Sequence, residues 1–173
     1  MSSELTLRPI TEADTDNIVR WRNLDSVKRN LYSRDQVTRE SHLRWLHEQV
    51  QTGRCIQYIL EAPEGDIGTA FIKNIDNFHK KGEYGIFIGE ESARGKGYGR
   101  RATELILEKA FLELDLNRVA LHVFEENLPG IRAYENAGFK IEGILRADFR
   151  YEDEYLNAVV MGITRKMWLA RQR

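Results

Sequence analysis

The pattern of hydrophobic and polar positions along this chain predicts seven strands. Short runs rich in apolar, β-branched and aromatic residues favour extended structure. They cover residues 5–8, 56–60, 67–73, 84–88, 119–124, 140–145 and 158–164. The turn sequence Pro63-Glu64-Gly65-Asp66 separates the second and third runs and predicts an antiparallel hairpin there.

Other segments carry the spacing and the capping residues of helices. Between residues 100 and 114 the apolar positions fall on about one face of a helix. Thr11 and Thr38 are suited to cap two further helix starts, and Pro129 opens a fourth helix that Gly138 ends. This order of elements predicts an α+β fold, in which helices cover both faces of a mostly antiparallel sheet.

Length and composition indicate one ordinary globular domain over residues 1–173. The 42% of hydrophobic and 31% of charged residues are typical of such a domain. Because the 26 basic and 27 acidic residues nearly cancel, the composition indicates neither a nucleic-acid nor a membrane partner.

The single cysteine and the N-terminal residues bear on the compartment. Cys55 has no second cysteine with which to form an internal disulfide. The first residues are polar and acidic rather than signal-like, and no apolar run approaches the ~20 residues that span a bilayer. These features favour a cytoplasmic protein.

A glycine-rich loop lies between the fourth predicted strand and the long helix. Its sequence, Arg94-Gly95-Lys96-Gly97-Tyr98-Gly99, lets the backbone turn tightly and approach a ligand closely. The following helix would direct its free N–H groups toward an anion, and Arg100 could add a charged contact. The spacing satisfies neither the P-loop nor the dinucleotide-binding pattern. A pyrophosphate site is the leading interpretation, and a flexible glycine turn is the alternative.

These features together resemble the GCN5-related N-acetyltransferase (GNAT) superfamily. The loop has the pattern Arg-x-x-Gly-x-Gly after the strand ending in Ile86-Phe87-Ile88. Glu126-Asn127 and the block Ile131-Arg132-Ala133-Tyr134-Glu135-Asn136-Ala137-Gly138-Phe139 follow in register. Residues 161–163, together with residues 166–168, are similar to the usual last strand of that superfamily.

The resemblance implies a GNAT fold of about seven strands, with acetyl-coenzyme A as co-substrate between two splayed parallel central strands. The coenzyme would contact the fourth strand, the glycine loop and the start of the fourth helix. These residues are Ile86, Phe87, Ile88, Arg94, Gly95, Lys96, Gly97, Tyr98, Gly99, Arg100 and Asn127. Asn127 has the alternative role of a helix cap.

Transfer of an acetyl group to an amine requires a base and benefits from an acid. The resemblance places the hydroxyl of Tyr134 beside the thioester sulfur, where it is the candidate acid; packing under the last strands is the alternative. His122 is the candidate base, since strand alternation puts it opposite Leu121 and Val123 and imidazole titrates near neutrality. Glu83 is the second candidate base. A structural strand histidine and a solvated edge glutamate are the respective alternatives.

The N-terminal half resembles the UDP-4-amino-sugar N-acetyltransferases of the pseudaminic acid pathway. The similar segments are Trp21-Arg22-Asn23, residues 40–43 and residues 73–82. The resemblance implies that Arg22, His42 and Lys73 face the nucleotide phosphates of the acceptor. It also implies a possible homodimer. No metal site is expected, because His42 and His47 lie i, i+5 apart without partner acids.

Three other functions stay open from the sequence. A polyamine acetyltransferase of the spermidine type would present an acidic acceptor cleft, for which there are candidate residues: Glu125, Glu126, Glu152, Asp153 and Glu154. An acetyltransferase for protein N-termini would need an open groove, and a non-catalytic coenzyme A-binding module would keep only the fold. Four aromatic residues either wall the acceptor site or pack in the core: Trp21, Tyr32, Trp45 and Phe78.

Overall fold

Seven strands form one mixed sheet in the computed structural model, which describes residues 5–172. They are β1 (Thr6–Pro9), β2 (Ile56–Ala62), β3 (Gly65–Asp76), β4 (Lys81–Ile88), β5 (Arg118–Phe124), β6 (Lys140–Tyr151) and β7 (Glu154–Thr164). Their order across the sheet is β1-β2-β3-β4-β5-β7-β6. The predicted α+β fold and its seven strands are confirmed, although the β6–β7 hairpin is longer than the hydrophobic pattern indicates.

All neighbouring strands are antiparallel except β4 and β5, which run parallel. Their pairing is short: Lys81–Glu83 faces Arg118–Ala120, and the ladder then stops. Beyond this ladder, β4 from Tyr84 and β5 from Leu121 have no strand partner on the edges that face each other, among residues 5–172. The two central strands therefore splay apart, as the resemblance implies.

Within residues 5–172, six α-helices connect and cover the strands. They are α1 (Thr15–Arg22), α2 (Asp25–Lys28), α3 (Arg39–Trp45), α4 (Tyr98–Glu108), α5 (Leu128–Ala137) and α6 (Arg165–Arg171). Wide π-type turns extend α3 over Leu46–Val50 and α4 over Lys109–Glu113. Thr38 caps α3 as predicted, because its hydroxyl accepts a hydrogen bond from the N–H of Ser41.

The expectation that residues 166–168 belong to the last strand is wrong. β7 ends at Thr164, whose hydroxyl accepts a hydrogen bond from the N–H of Met167 and caps α6. Trp168 then packs against Phe111 at the end of the α4 helix, with ring centroids 5.5 Å apart. A short apolar run of this kind suits a strand and a buried helix equally, so the cap decides the outcome.

The two faces of the sheet carry separate apolar cores. Ile18 and Trp21 of α1 pack with Ile59 on one face, which we call the α1 face. Ala102 and Ile106 of α4 belong to the larger cluster on the opposite face, which we call the α4 face. Because successive strand residues point to opposite faces, β2 contributes Ile59 and Leu60 to different cores, and β4 does the same with Phe87 and Tyr84.

The outer strand β6 presents apolar side chains at the surface, among them Ile141, Ile144 and Leu145.

Within residues 5–172, the helices are all too short or too polar to cross a membrane.

Candidate active site

A cavity of about 1220 Å³ opens where β4 and β5 separate. It is lined from both faces of the sheet, since Glu83 and its neighbour Tyr84 both contribute to its wall. Tyr84 packs in the core of the α4 face, so alternation turns Glu83 toward the α1 face. The cavity thus passes through the sheet.

The edge of β4 inside this cavity has free backbone groups. Ile86, Phe87 and Ile88 line the cavity and pair with β3 only. Their N–H and C=O groups that face the opening need partners from a ligand or water. An extended amide chain could therefore bind along β4 as an additional strand would, which fits the pantetheine arm of coenzyme A.

The glycine loop has the backbone geometry of an anion site. Gly95 and Gly97 adopt left-handed conformations, with φ of 74° and 84°, and α4 begins directly at Tyr98. In the described part of the chain no side chain caps this helix start, which leaves its first N–H groups without a side-chain partner. A Cβ added at Gly95, Gly97 or Gly99 would meet nothing within 4 Å, so the loop surface is open. The arrangement suits a pyrophosphate.

Side chains of the loop anchor it on both sides. The guanidinium of Arg94 donates to Ser26 Oγ at 3.0 Å and to the carbonyl of Ile88 at 3.2 Å. Glu64 accepts from Lys96 Nζ at 2.9 Å and from the Tyr98 hydroxyl at 2.8 Å. The hydrogen bond from Lys96, with that from Tyr98, holds the pKa of Glu64 below its usual range.

Arg100 points away from this network. It pairs with Glu104 one helical turn later, at 3.0 Å, and is exposed. The predicted phosphate loop is thus held by Arg94, Lys96 and Tyr98 rather than by Arg100.

Tyr134 of α5 reaches the cavity from the α4 face. Its ring lies edge-to-face with Tyr84 at 6.2 Å and with Phe139 at 6.1 Å. Burial raises the pKa of Tyr134 to about 12. The phenol is therefore protonated at neutral pH. Within residues 5–172 its hydroxyl donates no hydrogen bond to another group. It can donate a hydrogen bond into the cavity.

Glu83 and His122 meet on the α1 face. Glu83 pairs across the short parallel ladder with Ala120, and His122 follows two residues later on the same face of β5. Their closest atoms, Glu83 Oε1 and His122 Nδ1, are 3.5 Å apart. Among residues 5–172, Nδ1 is buried and has no hydrogen-bond partner, and His122 lines the cavity. The two candidate bases therefore form one pair.

Lys73 lies directly opposite Glu83 on β3, and its Nζ is 3.3 Å from Glu83 Oε1. Asn74 Nδ2 donates to the other carboxylate oxygen at 3.1 Å. Glu83 is thus an oriented carboxyl group in contact with Lys73 and Asn74 rather than a solvated edge residue. The positive charge of Lys73 is correspondingly compensated by the Glu83 carboxylate.

The predicted substrate residues Arg22, His42 and Lys73 all line the cavity. They do not form the basic pocket that the amino-sugar resemblance implies. His42 is buried, its Nδ1 lies 3.1 Å from Thr15 Oγ1, and burial lowers its pKa, so it is neutral. Since Lys73 is neutralised, Arg22 is the only one of the three that offers a charge, and its guanidinium donates to the carbonyl of Ser33.

Asn127 has the capping role that was the alternative to coenzyme binding. Its side-chain oxygen accepts from the N–H of Gly130 at 3.1 Å and caps α5, while the residue also lines the cavity. Of the four aromatic candidates, Tyr32 and Trp45 line the cavity. Trp21 is fully buried in the core, and Phe78 is 88% exposed.

Several residues of the cavity wall and of the contacts to the glycine loop carry no signal in the local sequence. Glu64 belongs to a turn, and its contacts with the glycine loop join positions far apart in the chain. Ser26 and Arg34 lie in polar segments without a recognisable motif. A pattern within one segment cannot reveal such partners. Among residues 5–172, no three His, Cys, Asp or Glu side chains are grouped to hold a metal ion.

Comparisons with known proteins agree with this geometry. The family model described as an acetyltransferase (GNAT) domain matches residues 4–140. The spermidine N(1)-acetyltransferase of Escherichia coli K12 is 29% identical over 169 residues, which cover 96% of this chain and 89% of that protein. The SPbeta prophage-derived uncharacterized N-acetyltransferase YokL of Bacillus subtilis 168 is 31% identical over 165 residues, covering 94% of this chain and 90% of YokL.

Among solved structures, the spermidine N-acetyltransferase from Vibrio cholerae in complex with CoA and spermine has a TM-score of 0.90. It is 24% identical, and the match covers 96% of this chain and 98% of that chain. At this identity the likeness shows the fold. The Escherichia coli and Vibrio cholerae enzymes act, by their names, on spermidine, and the name of YokL gives no acceptor. The resemblance of the N-terminal half to UDP-amino-sugar acetyltransferases is therefore corrected, because the similarity along nearly the whole chain is to spermidine N-acetyltransferases.

The anchoring role of Arg94 predicts the effect of replacing it. In Arg94→Met the loop loses its hydrogen bonds to Ser26 and to the end of β4. Because a charged hydrogen bond contributes about 1.5–3 kcal/mol, we expect acetyl-coenzyme A to bind at least ~10-fold more weakly by titration calorimetry. Arg146→Met is the matched control, since Arg146 is exposed on β6 and lines no part of the cavity. Equal affinity in the two variants would refute the anchoring role.

Proposed function

The chain belongs to the GNAT family of acetyl-coenzyme A-dependent N-acetyltransferases, and from that premise we propose that its acceptor is a polyamine of the spermidine class. One observation carries the proposal: the cavity crosses the sheet at the β4–β5 split and brings a protonated phenol and an oriented base pair to one opening. These are the groups that amine acetylation requires.

The polyamine acceptor is supported by the relatives and by carboxylates on the cavity wall, which also carries the basic side chains of Arg22, Arg29, Arg34, Lys73 and Arg94. The spermidine acetyltransferases of Escherichia coli and Vibrio cholerae are 29% and 28% identical along nearly the whole chain. Three carboxylates line the cavity, those of Glu83, Glu126 and Glu154. Two of them belong to the acidic cleft that the sequence suggested for a polyamine. Glu125, by contrast, accepts a hydrogen bond from Asn157.

Acetyl-coenzyme A supplies the thioester, and this chain supplies its binding surface. We assign the pyrophosphate to the free N–H groups at the start of α4 and the pantetheine arm to the open edge of β4. A backbone N–H of 86–88 would donate to the carbonyl oxygen on which negative charge develops during attack. Binding both substrates in one cavity aligns them for direct transfer.

The base must remove a proton, because an alkylamine with a pKa near ~10 is mostly protonated at neutral pH and attacks only as the free amine. We assign this step to His122 Nε2, directly or through one water molecule. Glu83 would orient the imidazole from its Nδ1 side and stabilise the imidazolium that forms. Lys73 and Asn74 hold the Glu83 carboxylate in place.

The acid acts on the departing sulfur. A thiol of pKa ~8.5 is already a tolerable leaving group, so protonation contributes a moderate factor. Tyr134 is assigned this role because its phenol stays protonated and reaches the cavity from the face opposite His122. Attack and departure would then occur on opposite sides of the sheet.

The predicted homodimer remains a prediction.

A panel of acceptors tests the proposed function. Free-thiol release from acetyl-coenzyme A should be fastest with spermidine or spermine, and much slower with a UDP-4-amino sugar or an alanine-terminated peptide. Turnover confined to the sugar or the peptide would refute the polyamine acceptor and would still support N-acetyltransferase activity. Absence of thiol release with every amine would instead support a non-catalytic coenzyme A-binding module.

Two substitutions separate the members of the base pair. We expect His122→Asn to lower kcat about 100-fold, within the range for a general base, and to flatten the acid limb of the pH–rate profile. Glu83→Gln keeps the imidazole, so it should lower kcat by a smaller factor and retain that limb. If Glu83→Gln flattens the limb and His122→Asn does not, the two roles are exchanged.

Tyr134→Phe tests the acid. We expect kcat to fall at least ~10-fold while the KM for acetyl-coenzyme A changes little, because the hydroxyl acts on the leaving sulfur. Tyr84→Phe is the matched control, since its buried hydroxyl already bonds to Thr103 Oγ1 at 2.9 Å. It should cost about 1 kcal/mol of stability and leave kcat nearly intact. Equal rates in both variants would dismiss Tyr134 as the acid.

A further inference from the structure

The guanidinium of Arg34 lies against three aromatic rings. Its Cζ is 4.0 Å from the centroid of Tyr151, 5.4 Å from Phe124 and 5.9 Å from Phe149. Tyr32 completes the group, since its ring stacks on Phe149 at 5.2 Å and meets Phe124 edge-on at 5.1 Å. We call Tyr32, Phe124, Phe149 and Tyr151 the aromatic box.

Arg34 has little else to hold it in the box. Its Nη2 donates to the carbonyl of Arg29 at 2.9 Å, and its Nε to that of Leu31 at 3.4 Å. No carboxylate among residues 5–172 lies within ion-pair distance of its guanidinium. The cation is therefore retained by ring faces and two neutral acceptors, and another cation could replace it.

The box is part of the acceptor side of the cavity. Tyr32, Phe124, Tyr151 and Arg34 line the main cavity, and the ring of Tyr32 is 6.0 Å from that of His122. Behind Arg34 lies a second cavity of about 470 Å³, which shares Tyr32, Tyr151 and Arg34 as walls. The side chain of Arg34 therefore belongs to the walls of both the main cavity and this smaller one.

Tyr32 contributes an unused polar atom. Its hydroxyl oxygen is buried and has no hydrogen-bond partner among residues 5–172. Burial raises the pKa of this phenol, and the charges of Asp148 and Glu83 add to the effect, so it stays neutral. A neutral phenol oxygen can accept a hydrogen bond from an ammonium group. The box thus offers a cation the faces of several aromatic rings and, in the Tyr32 hydroxyl, one hydrogen-bond acceptor.

We propose that the aromatic box binds the second ammonium group of the acceptor, and that Arg34 occupies this subsite until the acceptor displaces it. The proposal rests on the proposed function, because it requires an acceptor with a second cation a short methylene chain away from the reacting amine. The reacting amine would lie at His122, and the distal ammonium between Tyr151, Phe124 and Phe149. Arg34 would then turn toward the second cavity.

Binding measurements on the coenzyme A-loaded protein test the subsite without relying on turnover. Arg34→Met removes the competing cation and keeps a side chain of similar length. We expect spermidine to bind roughly 5-fold more tightly to Arg34→Met than to the wild type, the gain that a cation–π interaction supports. Butylamine, which has a single ammonium group, should bind equally to both. Arg34→Gln serves as a second variant should Arg34→Met fold poorly.

Two controls separate displacement from general charge repulsion. Arg146→Met makes the same change in net charge on exposed β6 and should not tighten spermidine binding. Tyr151→Leu in the Arg34→Met background removes the closest ring and should abolish the gain. A gain that persists without Tyr151, or extends equally to butylamine, overturns the proposal, as does unchanged or weaker spermidine binding.

The acceptor panel distinguishes this failure from failure of the proposed function. If the wild type acetylates spermidine and Arg34→Met binds it no more tightly, only the aromatic subsite is wrong. If spermidine neither binds nor is acetylated, both the polyamine acceptor and the subsite are wrong.

Discussion

The structure depends on one short ladder, the three-residue parallel pairing of β4 with β5. Each strand keeps a full antiparallel partner on its outer side, β3 for β4 and β7 for β5, so the sheet stays intact although its centre opens. A longer parallel ladder would fill the opening with hydrogen bonds of the protein's own backbone. Its early end leaves polar edges that an amide-bearing ligand can satisfy.

Strand alternation then distributes the chemistry around this opening. Glu83 is the last ladder residue of β4, and the next residue, Tyr84, turns to the opposite face. His122 takes the same side as Glu83, and Tyr134 comes from the side of Tyr84. A single residue of register shift in β4 would exchange these faces and separate Glu83 from His122. The ladder therefore sets both the shape of the cavity and the pairing of its charges.

Features that depend on neighbouring residues were predictable from the sequence, and those that join distant segments were not. The seven strands, the Thr38 cap and the glycine loop follow from local period and residue type. The contacts of Glu64 with the loop, and of Arg34 with Tyr151, have no local signal. Short sequence segments also gave one wrong prediction, a basic pocket formed by Arg22, His42 and Lys73. Burial lowers the pKa of His42 and keeps it uncharged, and Glu83 compensates the charge of Lys73. Residues 166–168 were ambiguous until the Thr164 cap placed them in a helix.

The aromatic box joins a segment near the beginning of the described chain to the β6–β7 hairpin near its end. Contacts between such distant segments carry the largest loop-closure cost and tend to form late in folding. The glycine loop and α4 are contiguous in sequence and have no such requirement. During synthesis the coenzyme side of the cavity can therefore assemble first, whereas the acceptor side lacks one of its walls until the last hairpin has emerged and docked. Selectivity for the amine would then be the final property that this polypeptide acquires as it folds.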